Sequence, residues 1–229
     1  MNEIIDGFIQ AIELILSLDP EVISITLLTL EVSIASTLLA VIIAIPLANI
    51  IYFNEFKGKK SIINIIQTLY SIPTVLVGLL VFLMISRSGP FGWLGLLFSP
   101  AGIVIGQTIL ILPIITGLTI SSLKGVGPEI KDLSLSLGAS SFQMIKTIMK
   151  EAKYAIFSAI ILGFGRAISE VGVAMMIGGN IRGYTRVITT TMSLETQKGN
   201  IEFSIALGII LLAIALIINL LLNYFRDRK

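Results

Sequence analysis

The chain has 229 residues, of which 55% are apolar and 13% are charged, and its mean hydropathy is +0.98. A soluble domain of this size carries roughly 25% charged residues, so these values exclude an ordinary soluble protein and favour one that spans a lipid bilayer. There is no cysteine and no histidine, which excludes disulfides, the usual zinc and haem ligands, and catalytic groups built on Ser-His or Cys-His pairs.

The first 20 residues are predicted to form an amphipathic helix that lies at the membrane surface. Polar residues recur at steps of three and four, which leaves the apolar residues on the opposite face. The helix is too short and too polar to span the bilayer, and Asp19-Pro20 ends it. Within a single domain of residues 1–229, we therefore separate residues 1–20 from a membrane-spanning core at residues 22–225.

Five apolar segments are long enough to cross a bilayer, which requires roughly 20 residues. They are residues 26–51, 62–86, 101–122, 154–178 and 203–225. Pro46, Pro73 and Pro113 interrupt the first three, either as hinges or as kinks that shape helix packing. The predicted fold class is an all-α membrane protein with about five transmembrane helices.

Basic residues between the spans set the orientation. If residues 54–60, residues 124–153 and the C-terminal tail are cytoplasmic, that side has eleven Lys and Arg and the other side has four. The N-terminus is then outside and the C-terminus inside, which requires an odd number of spans and agrees with five.

The loop at residues 124–153 is the longest basic polar stretch. Residues 129–137 and 140–153 each have a helical pattern, and Gly138 between them tolerates the positive φ of a tight turn. Four apolar residues line the second helix at helical spacing: Phe142, Ile145, Ile148 and Met149. The loop is predicted to be a helix–turn–helix, which is either a docking surface or an extension of the flanking spans.

The run Asp132-Leu133-Ser134-x3-Gly138, continued by Ala139-Ser140 and by Ile148, resembles the EAA loop of ABC importer permeases. The glycine and the isoleucine match the family spacing, and the acid is kept as Asp132. Leu133 and Ser134 replace two alanines, and Lys150-Glu151 replaces a usual Leu-Pro. The resemblance implies the ABC type I importer permease fold, and it implies that the loop, with Phe142, is a coupling helix in a cleft of an ATPase.

A second stretch narrows the family. Arg166-Ala167-x2-Glu170-x-Gly172, with the run from Gly178 to Arg186, is similar to molybdate, tungstate and sulfate permeases, and most similar to the tungstate branch. The resemblance implies the transmembrane subunit of an ATP-driven importer of a small oxyanion, tungstate or molybdate, in a prokaryotic cytoplasmic membrane.

The same resemblance sets the expected partners. They are a second copy of the chain, two ABC ATPase subunits, an extracellular oxyanion-binding protein and membrane lipid, with no nucleic acid. The sequence has no G-x-x-x-x-G-K-[S/T] phosphate-binding loop. ATP and Mg are therefore expected on the partner ATPase, and this chain is expected to bind no cofactor or metal and to catalyse no reaction.

Two charges lie inside the fourth span, where charged residues are costly. Arg166 and Glu170 are four residues apart and share one helix face. In one interpretation they form an ion pair that fixes helix packing. In the other, Arg166 offers positive potential to an anion in the pathway and Glu170 holds it.

The polar segment after this span contains the remaining candidates. Asn180 and the threonines Thr189, Thr190 and Thr191 either line an outer gate or form an ordinary polar loop. Arg182 and Arg186 either contact an acidic surface of the binding protein or are solvated. A secondary anion transporter or channel that works without an ATPase is the alternative function. An intramembrane enzyme is disfavoured, because without histidine it needs a Ser-Lys pair and no span contains lysine.

Overall fold

The computed structural model describes residues 2–227, with side chains placed for residues 4–220. In that part of the chain every regular element is helical. The α-helices are α1 (Asn2–Leu16), α2 (Pro20–Phe53), α3 (Lys59–Thr68), α4 (Thr74–Ile85), α5 (Pro100–Gly125), α6 (Pro128–Ser136), α7 (Ser141–Glu151), α8 (Lys153–Ile168), α9 (Gly172–Gly178), α10 (Ile188–Gln197) and α11 (Ile201–Asp227).

Three helices, α2, α5 and α11, are long and apolar enough to cross a membrane unbroken. Two bent pairs, α3 with α4 and α8 with α9, bring the number of spans in residues 2–227 to five if each pair counts as one. The predicted number is confirmed in this sense. The first span is longer than predicted, because Asp19 caps α2 by accepting a 2.9 Å hydrogen bond from the Val22 backbone N–H.

The second predicted span is sharply bent, by 102° between Lys59–Ser71 and Thr74–Ile85. Pro73 lies at the break, and Ile72 before it is extended, as a residue that precedes proline prefers. The two halves pack on different parts of α5: Ile63 of α3 lies with Ile120, and Val77 of α4 lies with Leu110. The pair therefore still runs from one end of the bundle towards the other.

Helices α2, α5 and α8 form the centre of the bundle. Ala40 and Ala44 of α2 pack with Ile111 and Ile115 of α5 and with Ala167 of α8, and all five are fully buried. Small side chains allow the backbones to approach closely, which is the usual basis of helix packing in membranes.

The N-terminal helix lies along α11. A Cβ on Gly7 would lie 2.6 Å from Cγ2 of Ile205, and Ala11 is buried against α11 as well. Seven large apolar side chains described on the rest of α1 remain exposed, at Ile4, Ile5, Phe8, Ile9, Ile12, Ile15 and Leu16. They form an apolar surface of the kind expected for an interfacial helix, although the helix is anchored to the core rather than separate from it.

The two ends of the bundle agree with the predicted orientation. At one end, Glu21 at the start of α2 pairs with Arg182. At the other end, Tyr52 and Phe53 at the end of α2 pack with Ile148 of α7, so this end carries the predicted cytoplasmic loop. The prediction of orientation also used the basic C-terminal tail from Arg226, whose side chains lie outside the described residues.

Candidate functional site

The cytoplasmic loop is the helix–turn–helix predicted from the sequence, formed by α6 and α7. Gly138 between them has φ +81°, and the backbone N–H of Ala139 donates to the Ser134 carbonyl over 3.0 Å. Ser140 caps the start of α7 with a capping box. The Ser140 Oγ accepts from the Gln143 backbone N–H, and the Gln143 Oε1 accepts from the Ser140 backbone N–H. The turn is thus stabilised on both sides of Gly138.

The apolar residues of this loop divide between two surfaces. Met144 and Ile148 are buried against Leu123 and Ile156, which fixes α7 to the bundle. The prediction of one shared face on α7 is wrong for Phe142, which is 76% exposed. Phe142 lies six positions before Ile148, so the two side chains point roughly 120° apart around the helix axis.

Phe142 is instead one of several exposed apolar side chains on α7, on α6 and in the turn between them. Leu133 is 58% exposed and Leu137 is 79% exposed, and Leu135 and Asp132 are exposed as well. Ser134 is half-buried, with its hydroxyl bonded to the Ile130 carbonyl. Large apolar side chains grouped outside the membrane mark an interaction surface.

Arg166 and Glu170 form the ion pair expected from their spacing, with a guanidinium nitrogen 2.9 Å from Oε2 of Glu170. Glu170 lies at the break between α8 and α9, where the two helices are bent by 55°. Its other oxygen, Oε1, accepts from the Val173 backbone N–H over 3.1 Å and so caps α9. The Glu170 side chain is 1% exposed and that of Arg166 is 35% exposed, so the accessible member of the pair is the positively charged one.

The threonines after this break are buried in a helix, so the interpretation of residues 189–191 as an ordinary polar loop is wrong. Thr189 donates its hydroxyl to the Glu170 carbonyl over 2.8 Å, and Thr190 donates to Asn180 Oδ1 over 2.9 Å. Thr191 donates to the Val187 carbonyl in the same helix. The structure therefore joins Thr189 to the Arg166–Glu170 pair, and it uses all three hydroxyl groups for internal bonds.

Gln107 of α5 is a buried polar residue that the sequence analysis did not identify. Its Oε1 accepts from the Ser36 hydroxyl of α2 over 2.9 Å, and its Nε2 donates to the Ala167 carbonyl of α8 over 3.2 Å. The side chain thereby links three helices beside Arg166. The sequence did contain a signal for this residue, because a side-chain amide is unusual within an uncharged and mostly apolar span.

Arg182 and Arg186 lie at the outer end of the bundle, and both contact Glu21 of the same chain. Arg182 makes two hydrogen bonds to this carboxylate and Arg186 makes one. The hydrogen bonds and the charge of Glu21 raise the pKa of Arg182, which keeps the guanidinium protonated. The solvated alternative fits Arg182, whose side chain is 72% exposed, better than Arg186, whose side chain is 14% exposed. Their predicted contact with a binding protein stays a prediction.

Among the residues that the structure describes, no three His, Cys, Asp or Glu side chains are grouped so as to hold a metal ion.

The comparisons with known proteins agree on one family. A family model described as "binding-protein-dependent transport system inner membrane component" matches residues 36–229. The chain is 41% identical to a tungstate uptake system permease protein of Peptoclostridium acidaminophilum, over 96% of each chain. It is 40% identical to a probable anion ABC transporter permease protein of Haloferax volcanii, over 90% of this chain and 91% of that protein.

A solved structure supports the fold. The crystal structure of a bacterial alginate ABC transporter, in complex with an alginate pentasaccharide-bound periplasmic protein, matches with a TM-score of 0.72 at 23% identity. The match covers 90% of this chain and 78% of that one. The fold is therefore that of type I ABC importer permeases, and the protein crosses the cytoplasmic membrane several times. The chain belongs to the family of binding-protein-dependent transport system inner membrane components.

Proposed function

We propose that this chain is the non-catalytic transmembrane subunit of an ATP-driven importer of a small oxyanion, tungstate first and molybdate second. The observation that carries the proposal is the 35% exposed Arg166, held by the buried Glu170 at a break inside a membrane span. A cation in that position attracts an anion, and its partly satisfied donors allow release, as a conduit requires. The names of the two relatives described above support the choice of oxyanion.

ATP hydrolysis takes place on partner subunits. The exposed apolar side chains of Leu133, Leu135, Leu137 and Phe142 lie on the cytoplasmic side and have the chemistry of a docking site. We assign ATP and Mg to an ATPase that docks there. Asp132, Gly138, Ala139 and Ser140 then shape the docking loop, and Ile148 fixes it to the bundle.

Two copies of the chain form the pathway. A cavity of about 590 Å³ opens between α5 and α8 at their cytoplasmic halves. Small side chains line much of it, among them Ser121, Gly125, Ala155 and Ala159, and such residues allow a second protomer to approach closely. Arg166 lies further along α8 and faces the same pathway, held by the buried Glu170 at the break. Thr189, Thr190, Thr191 and Asn180 lie behind this pair and support the outer part of the pathway through internal hydrogen bonds.

An extracellular oxyanion-binding protein supplies the substrate. The alginate transporter structure includes a periplasmic protein, which supports the same arrangement here. Arg182 and Arg186 at the outer end provide the charge for an acidic docking surface.

The experiment is uptake by vesicles that contain the chain with the ABC ATPase and the oxyanion-binding protein proposed as its partners. ATP-dependent uptake of labelled molybdate should occur, and unlabelled tungstate should compete with it more strongly than sulfate does. Uptake by the chain alone, without an ATPase, would favour the alternative of a secondary transporter or channel. Failure of both tungstate and molybdate to compete would exclude the oxyanion assignment.

A further inference from the structure

A single carboxylate ties the start of α2 to the outer loop at residues 179–187. Glu21 accepts from Nε of Arg182 over 3.0 Å and from a terminal nitrogen of the same guanidinium over 2.5 Å. It also accepts from Arg186 over 3.3 Å. Because 161 residues separate Glu21 from Arg182, this contact connects two distant parts of the chain at the outer surface.

The two arginines offer more donors than Glu21 can satisfy. Nε of Arg186 is buried and has no hydrogen-bond partner among the residues that the structure describes. The Arg182 side chain is 72% exposed, and its neighbours Ile181 and Tyr184 are exposed as well. Arginine and tyrosine beside apolar surface are the residues that protein interfaces favour. This surface therefore has the composition of a docking site, in which the exposed guanidinium of Arg182 is accessible to a carboxylate.

A free oxyanion fits this place less well than a protein carboxylate does. The adjoining cavity of about 280 Å³ is lined by Glu21 and Glu195 as well as by the arginines and Lys198. Lys198 already pairs with Glu195 over 2.7 Å. A small dianion in the cavity would face two carboxylates at close range. A protein surface adds contacts with Ile181 and Tyr184, which offset the loss of the Glu21 contacts.

We propose that Glu21 is a built-in competitor for the docking partner. When the extracellular binding protein docks, an Asp or Glu of that protein replaces Glu21 on Arg182, and the outer loop is released from α2. The inference rests on the proposed function, because it needs a binding protein as the partner.

The released loop is mechanically connected to the membrane site. The Thr185 hydroxyl donates to the Gly178 carbonyl over 2.6 Å, which fastens the loop to the end of α9. Helix α9 begins at the break that holds Glu170. Movement of the outer loop, once Arg182 binds the new carboxylate, is thereby transmitted through α9 to the Arg166–Glu170 pair. The binding protein does not need to contact the membrane site directly.

The test uses the complete transporter in vesicles and measures ATP hydrolysis against the concentration of binding protein. Glu21→Gln removes the competitor, so the half-saturating concentration of binding protein should fall about two- to five-fold, as expected for one exposed ion pair. The basal rate without binding protein should rise. Arg182→Gln removes the site itself, so the half-saturating concentration should rise by a similar factor.

The opposite signs distinguish competition from a structural role. Glu13→Gln and Arg87→Gln change exposed charges outside this cluster and should leave the half-saturating concentration unchanged. The charge exchange Glu21→Arg with Arg182→Glu should restore the low basal rate. If Glu21→Gln and Arg182→Gln shift the concentration in the same direction, or neither shifts it, the inference is wrong while the proposed function stands. A wild-type transporter that shows no response to binding protein would overturn both.

Discussion

The hydroxyl of Thr189 donates a 2.8 Å hydrogen bond to the backbone carbonyl of Glu170, which joins the start of α10 to the break in the fourth span. The carboxylate of the same glutamate binds Arg166 and caps α9. Glu170 therefore connects α8, α9 and α10 through its side chain and its backbone. A buried charge with all of these partners is stabilised by them, and the removal of any one should have a measurable effect.

Thr189→Val should lower the unfolding temperature in detergent by about 2–4 °C, because one buried hydrogen bond of about 1 kcal/mol is lost. Thr191→Val is the matched control, since Thr191 is equally buried but bonds only to the Val187 carbonyl within its own helix. Equal shifts for the two variants would contradict the assigned role of the Thr189–Glu170 contact.

Gln107→Leu should destabilise the protein by about 1–3 kcal/mol, because the Ala167 carbonyl and the Ser36 hydroxyl both lose a buried partner. Thermal unfolding of the purified protein measures this change. Gln67→Leu alters an exposed glutamine of α3 and should have little effect. A stable Gln107→Leu variant would show that the three central helices do not depend on this link.

Arg166→Gln should reduce oxyanion uptake at least about tenfold, which corresponds to the loss of one charged hydrogen bond of about 1.5–3 kcal/mol. It also leaves Glu170 as an unpaired buried charge, so folding must be separated from transport. The double variant Arg166→Gln, Glu170→Gln removes that charge and should fold, as judged by gel filtration. Its uptake should remain low; wild-type uptake would assign the pair a structural role only.

Gly138→Asp should abolish ATP-driven uptake while the protein still inserts into the membrane. The residue has φ +81°, a conformation that costs a residue with a Cβ roughly 1–2 kcal/mol, and the new charge lies beside the apolar docking surface. Gly58→Asp is the control, because Gly58 has a similar φ of +90° and open space around its Cβ position but lies in the separate segment between α2 and α3. Co-purification of the ATPase measures docking, and its retention by Gly138→Asp together with normal uptake would refute the docking role.

Several features could be predicted from the sequence because they depend on local properties. The number of spans follows from the length of apolar segments, and the orientation follows from the basic residues between them. The turn at Gly138 depends on glycine tolerating a positive φ, and the Arg166–Glu170 pair depends on helical spacing of four residues. The helix–turn–helix at α6 and α7 was located correctly for the same reason.

The sequence alone did not determine which side chains meet across the bundle. The 102° bend at Pro73 depends on how α3 and α4 pack on different parts of α5, although the proline itself was visible. Gln107 reaches Ala167 across 60 residues, and Glu21 reaches Arg182 across 161. Local pattern thus determined the spans, their direction and the cytoplasmic helix–turn–helix. Tertiary packing decided the buried polar contacts, because a hydrogen bond requires two groups to be close in space. Helix packing sets that distance, and it does so independently of how far apart the two residues are along the chain.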